Sequence, residues 1–358
     1  AITVEHRMTY SPLVSEQISV ADAFEAIETY FDRGWSDGLP VVPPTPEAVE
    51  SFLEAANLTP DSILGVEPVK GAVVTAEKAA INAVMAGCRP EYMPVVVAAV
   101  EAMTSEKFNL HGITVSTMGA AILLVVNGPI THKLAINSGV SVFGPGHRAN
   151  ATIGRAIRLI VMNVLGTRSN EGLDKATLGH PGKYTWCVAE NEENQPWEPL
   201  NVTRGHSTGD SSVTVFAGLS GTQFGEHESS TPEGILNAFT ERLYPLGPGV
   251  QQVVLVICPE HAEHFKRNGW KKEQIGQYLF ENACRPAEEW AKSGFSSGIT
   301  QAVRSKSDNR NAIRSLESPE SVIPVMLGGG GGAWSMVIPT WSHGAKSKAV
   351  TCLIKDKR

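Results

Sequence analysis

Apolar residues at Val20, Ala23, Phe24, Ile27 and Phe31 follow the three- and four-residue spacing of one helix face, which predicts a helix over 20–33. Gly34-Trp35-Ser36-Asp37-Gly38 breaks that pattern. The prolines of 39–46 then enforce an extended chain, since proline fixes φ and restricts the residue before it. Thr45, Pro46 and Glu47 supply an N-cap, a first helical residue and an early acid for a helix over 46–56. Helices are expected over 75–85 and 93–103. Strands are expected over 112–116 and 122–126, the second closed by the turn residues Asn127-Gly128-Pro129. A glycine-punctuated stretch at 137–146 opens onto a long amphipathic helix over 147–165. Residues 179–199 are polar and aromatic without a clear period and read as a structured loop.

Beyond a polar break at 205–210 the elements alternate. A strand at 213–216 and a helix at 232–244 precede a buried-type strand at 253–257, helices at 259–268 and 271–284, and a strand at 323–327 that runs into the glycines 328–332. This alternation predicts an α/β fold of layered, mainly parallel sheets with flanking helices, Rossmann-like in its C-terminal half. It divides the chain into an N-terminal α/β domain, 1–205, and a C-terminal Rossmann-like domain, 206–358. No 20–50-residue repeat is visible, which argues against a solenoid.

Composition narrows the partners. A chain of 358 residues, 42% hydrophobic and 19% charged, can bury a sizeable core without covalent staples. The net charge of −7 argues against a nucleic-acid surface. No apolar run reaches the 18 or so residues of a membrane span, and no basic-then-apolar leader opens the sequence, so a cytoplasmic location without membrane contact is the expectation. The five cysteines (Cys88, Cys187, Cys258, Cys284, Cys352) are odd in number and scattered without a C-x-x-C, which fits reduced thiols.

Four stretches carry candidate chemistry. Gly87 stops a helix, and Cys88 follows it beside Arg89 and Glu91; a cation next to a thiol favours the reactive thiolate. The plainer alternative is a small buried residue with Arg89 facing solvent. In the second, the loop at Gly144, Gly146 and His147 leads to Arg148, Asn150 and Arg155 on a helix start, where free amides suit a carboxylate or phosphate; surface ion pairs are the alternative. The third gathers Lys183, Tyr184 and Glu190, which offer proton donors and a base, while Glu192 and Glu193 read as solvated. The fourth is the five-glycine run, including Gly329 and Gly330, directly after a strand, where open α/β sheets bind ligands. The histidines give no firm metal motif: His261 and His264 are three apart but read as an exposed helix face, and His111, His132 and His147 flank the glycine-rich centre.

Taken as a set, Gly34-Trp35-Ser36-Asp37-Gly38-Leu39-Pro40-Val41-Val42-Pro43-Pro44-Thr45, the segment 86–94, 144–158 and 182–193 resemble a bacterial family of largely uncharacterised proteins loosely labelled thiol-disulfide isomerase or thioredoxin-like, associated with the UGSC selenoprotein group. The resemblance covers about residues 20–200 and, more weakly, 325–341. It implies redox chemistry. The chain lacks the paired thiols that such exchange uses, unless Cys187 folds next to Cys88.

The leading expectation is therefore an enzyme acting on a small polar or anionic substrate. Cys88 is its nucleophile, Lys183 and Glu190 handle protons, and Arg89, Gly146, His147, Arg148, Asn150, Tyr184, Gly329 and Gly330 bind substrate. The reaction is hydrolytic or lyase cleavage at a C–N or C–S bond, without a cofactor or metal, in a homo- or hetero-oligomer. One alternative is metal-assisted chemistry using His111, His132 or His147 with a carboxylate. Another is a non-catalytic subunit that docks a partner through the proline segment and tryptophans such as Trp35 and Trp197.

Overall fold

The computed structural model of the chain describes residues 12–169, 172–193, 195–296, 312–342 and 347–356. Among them the elements run α1 (Ala23–Asp32), α2 (Pro46–Ala56), β1 (Ile63–Val66), β2 (Val73–Thr75), α3 (Ala76–Met85), α4 (Met93–Met103), α5 (Leu110–Val115), β3 (Ala121–Asn127), α6 (Ile130–Lys133), α7 (Arg148–Asn163), β4 (Cys187–Ala189) and α8 (Leu200–Thr203). They continue with β5 (Ser212–Gly218), β6 (Thr222–Gly225), α9 (Pro232–Leu243), β7 (Val253–Ile257), α10 (Pro259–Arg267), α11 (Lys272–Asn282), β8 (Cys284–Arg285), α12 (Ala287–Lys292), β9 (Ile313–Arg314), β10 (Val322–Met326), β11 (Trp334–Pro339) and β12 (Val350–Leu353).

Two four-stranded sheets organise these elements, in the orders β12-β5-β3-β4 and β10-β7-β11-β6. Alternation along the strands shows what each sheet covers. In β3, Leu124 and Val126 join the core beneath α3, α4 and α7, whereas Leu123 and Val125 face the other way. In β7, Val253, Leu255 and Ile257 pack with residues of α9, α10 and α11, and Val254 and Val256 face the opposite side. The two opposite sides meet: Leu123, Val125 and Phe216 share one cluster with Val254, Val256, Val325 and Ile338. The result is four layers, helices on sheet on sheet on helices. The sheets join at a corner where β5 runs into β6, and there Leu219 N donates to Pro339 O at 2.8 Å and Trp341 N to Ala217 O at 2.8 Å.

The expected mainly parallel, Rossmann-like arrangement is not what forms. Only β3 with β4 and β7 with β10 are parallel, while β12–β5, β5–β3, β7–β11 and β11–β6 are antiparallel. The physical reason lies in what an apolar strand reports. A run such as 253–257 says that both faces are buried, and helices on both faces of a parallel sheet are the usual way to achieve that. Here a second sheet covers one face, so antiparallel neighbours do as well. Strand 350–353 pairs with β5, so the first sheet joins strands from both sides of the expected boundary at 205.

Most element expectations hold to within a residue or two, with two differences. Residues 112–116 are not a strand: α5 covers Leu110–Val115, capped by the Asn109 side chain accepting from Gly112 N at 3.1 Å. The loop at 179–199 contains the short strand β4, buried throughout and paired with β3.

Candidate active site

Two sizeable clefts open on this frame. The larger, about 530 Å³, lies between residues 13–20, α1 and α3 and is lined by Tyr30, Trp35, Pro43, Ile81 and Met85 among others; it holds no cysteine or histidine. The smaller, about 410 Å³, lies at the ends of the parallel strands β7 and β10, and Cys258 and Ser335 line it together with the glycines 328–332. Ligands in open sheets bind at such strand ends. The smaller cleft is the one of the two that a thiol lines.

Its geometry follows from local sequence. Strand β7 ends at Ile257, Cys258 occupies the N-cap position with extended backbone, and Pro259 starts α10 with a φ already suited to a helix. Three residues on, His261 is buried at 1% exposure against Ser335. Its Nδ1 lies 2.7 Å from Ser335 Oγ and its Nε2 lies 2.9 Å from the carbonyl oxygen of Glu226. A carbonyl can only accept, so Nε2 carries the proton and Nδ1 is the atom that takes or returns one. Cys258 N donates to the same Ser335 hydroxyl at 3.1 Å.

The electrostatics match this arrangement. Burial alone would raise the Cys258 pKa, but the His261 imidazole, the His261 amide and the Ser335 hydroxyl bring it below its ordinary value. Burial alone would lower that of His261, but the bonds to Cys258 and to the Glu226 carbonyl raise it. Both shifts favour thiolate beside imidazolium, and the start of a helix favours the negative sulfur.

The five-glycine run forms one wall. Leu327 N donates to Ile257 O at 3.2 Å, which sets Gly328 beside Cys258, and Gly328 N donates to Ser138 O at 2.8 Å. A Cβ on Gly329 would stand 2.3 Å from Val140 Cγ2 and 3.0 Å from the Val140 backbone, so only glycine passes here. Among the described residues no protein acceptor takes the amides of Gly329, Gly330, Gly331 or Gly332. Val140, Ser141, Phe143 and Gly144 line the same cleft, so the two glycine-rich loops converge.

The other predicted residues go elsewhere. Gly87 takes the left-handed conformation at φ +85°, and Cys88 N and Gly87 N close the end of α3 on Ala83 O and Val84 O. That loop turns the Cys88 thiol into the core of the helical layer; Cys258 is as little exposed, 4% against 6%, so the two thiols differ in their neighbours and not in exposure. Burial pushes Cys88 up to about 12, despite Thr152, Arg148 and Arg155 nearby. It is a neutral thiol at ordinary pH. Cys187 is buried beside it and raised as well, first by burial and then by Cys88. Arg89 is exposed, 3.9 Å from Glu91.

Arg148 donates from Nε and Nη2 to Gly87 O, both at 3.0 Å, and so latches α7 to the end of α3. Asn150 is consumed by Asn137, accepting from its amide at 2.7 Å and donating to its carbonyl at 2.9 Å. Gly146 and His147 lie exposed at the start of α7, and Tyr184 is exposed too. Lys183 and Glu190 do not meet. Lys183 Nζ bonds Asp174 at 2.6 and 2.8 Å, with Arg158 on the same carboxylate at 3.1 Å. Glu190 is fully buried, accepting from Asn127 Nδ2 and Leu200 N at 2.6 Å each, with Lys272 Nζ 3.7 Å away. Its segment still touches the site indirectly, since Asn191 Nδ2 donates to Gly328 O at 3.2 Å.

Cys258, His261 and Ser335 were not singled out as a site from sequence. The signal was present in Ile257-Cys258-Pro259-Glu260-His261: a buried strand, a thiol at the turn, a helix-starting proline, and a histidine one turn on. Among the described residues no three of His, Cys, Asp and Glu gather closely enough to hold a metal ion, and no helix is long and apolar enough to cross a membrane. No family model matches the chain, and no curated protein does.

Proposed function

We propose that the protein is a cysteine-dependent hydrolase that opens a C–S or C–N bond at the carbonyl carbon of a small substrate, with Cys258 as nucleophile and His261 as acid–base. One observation carries this reading: Cys258 and His261 meet on one buried hydroxyl, Ser335 Oγ, which accepts from the Cys258 amide and bonds His261 Nδ1, beside a cleft lined by Cys258, Ser335 and the glycines 328–332. The reading keeps the thiol chemistry expected from sequence and moves it from Cys88 to Cys258. Cys88 is held protonated in the core, whereas Cys258 is the thiol with a base beside it.

In this reaction the Cys258 thiolate attacks the carbonyl carbon, and the oxygen that gains the electron pair is received by amides of 329–332, which act as an oxyanion hole. Collapse of the adduct expels the leaving sulfur or nitrogen, which takes the proton that His261 carries on Nδ1. Water, deprotonated by the now neutral His261, then hydrolyses the acyl-sulfur bond, releasing the acid and restoring the thiolate–imidazolium pair. Ser335 orients the imidazole throughout, and Glu226 O fixes its tautomer.

The test is a trapping experiment. The full chain is mixed with the acetyl thioester of N-acetylcysteamine and mapped by peptide mass spectrometry. An acetyl group on the Cys258 peptide, with turnover lost in Cys258→Ala and kept in Cys88→Ala, is the expected result. Turnover that survives Cys258→Ala in folded protein ends the proposal.

A further inference from the structure

The walls of the Cys258 cleft say more than its floor. Among the described residues that line it there is no Asp, Glu, Lys, Arg or His side chain. Val140 is 73% exposed and Trp334 54%, and Phe143 and Met336 line the cleft with them, Ser141 and Gln223 being polar but uncharged. Exposing large apolar side chains around a reactive group is costly in water unless something apolar covers them. The glycine amides are the one cluster of unengaged donors here, and the developing oxyanion occupies them. No Lys or Arg side chain among the described residues lines the cleft to pair with a second negative charge.

From this we infer that the cleft takes acyl groups that are short, apolar and uncharged, and rejects acyl groups ending in a carboxylate; the inference rests on the Cys258 reading given above. A volume of about 410 Å³ lies toward the small end of ligand pockets, which suits a chain of a few carbons rather than a long lipid tail. Discrimination follows from desolvation. A carboxylate entering this cleft gives up its water and meets no cation in return, whereas a methyl group of the same reach gains contact with Phe143 and Met336. The sequence pointed instead to an anionic substrate held by Arg89 and Arg148, but neither arginine lines this cleft.

The experiment compares the butyryl and succinyl thioesters of N-acetylcysteamine, which differ at the far end of a four-carbon acyl group. Hydrolysis is followed by thiol release and the acyl-enzyme by mass. The expected result is a kcat/KM about 10²-fold higher for butyryl, set by the unpaired carboxylate. Gln223 lies exposed on the cleft wall, so Gln223→Lys adds a cation without disturbing the core, and it is expected to narrow that ratio about tenfold. Equal rates for the two esters, with Cys258 acylated by both, overturn the selectivity and leave the nucleophile in place. Failure of both esters to acylate Cys258 overturns the underlying reading and this inference with it.

Discussion

His261 Nδ1 stands 2.7 Å from Ser335 Oγ, and that hydroxyl also accepts from the amide of Cys258 at 3.1 Å. One side chain on β11 therefore ties the backbone of Cys258 to the His261 ring. Both side chains are buried, Ser335 and His261 each at 1% exposure.

Ser335→Ala tests this link. It leaves the Cys258 amide and one face of the imidazole without a partner, which costs about 1–3 kcal/mol of stability for a buried donor left unsatisfied. It also frees the ring to turn. The rate of Cys258 alkylation by iodoacetamide is expected to fall several-fold at pH 7, with the midpoint of its pH profile moved upward. A midpoint that does not move would remove Ser335 from the activation of the thiol.

The cysteines themselves make a second test. Cys258 is held below its ordinary pKa and Cys88 is pushed up to about 12, so their thiolate fractions at pH 7 differ by orders of magnitude. Alkylation of native protein is expected to reach Cys258 well before Cys88 or Cys187. Raising the pH accelerates reaction at Cys88, whereas the rate at Cys258 levels off once its thiolate is fully formed. His261→Gln removes the imidazolium and should carry the Cys258 midpoint upward. Residue-resolved mass spectrometry across a pH series reads each of these.

What the sequence made legible divides along the range of the interactions. Local signals were reliable: Thr45 with Pro46 starts α2, and Gly87 ends α3. Pairings between distant segments were not. Arg155 and Asp37 are 118 residues apart, and Glu190 and Lys272 are 82 apart, so spacing offers no sign of either. The layering failed for a related reason, because an apolar strand such as 121–127 records that it is buried and not what buries it. Cys88 misled by its neighbours in sequence. Arg89 is adjacent along the chain but points to solvent, while the cations that face the thiol come from α7.

Asp37 shows what the Gly34–Thr45 motif does. Its carboxylate takes two bonds from Arg155, Nε and Nη2, at 2.8 Å each, and Nη2 also reaches Leu39 O and Pro40 O at 3.1 and 2.9 Å. The proline segment is thereby clasped to α7. Arg155→Lys keeps the charge but loses the planar fork, and it is expected to cost about 1–3 kcal/mol. Limited proteolysis should then cut within 34–46 before the rest of the chain. A variant as resistant as the wild type would mean that proline stiffness alone holds the segment.

Asp174 supplies an acid-sensitive tie. Burial would raise its pKa, but Lys183, the Ala176 amide and Arg158 hold it below the ordinary 3.8. A depressed folded pKa means that the stabilisation is complete above 3.8 and is lost as the pH falls through the folded value. Asp174→Asn is expected to lower stability at pH 7 and to flatten the acid limb of the stability profile below pH 4. Parallel acid limbs in urea titrations of the two proteins would assign the acid sensitivity to other carboxylates.

Glu190 and Lys272 make the most demanding case. The pair lies between the end of β4 and the start of α11, with Nζ 3.7 Å from Oε1, and neither of those two atoms has a hydrogen-bond partner in the described structure. Burial pushes Glu190 up and Lys272 down, and their mutual attraction opposes both shifts. Such a pair contributes little as a unit, because the cost of drying two charges cancels most of their attraction, yet breaking it strands one charge. Lys272→Met or Glu190→Gln alone is expected to cost about 3–5 kcal/mol, while the double variant costs much less than the two added together. Chemical denaturation of the four proteins in the cycle measures that coupling. Additive losses would show that the two side chains are stabilised separately, Glu190 by Asn127 and the Leu200 amide, and that the ion pair itself contributes nothing.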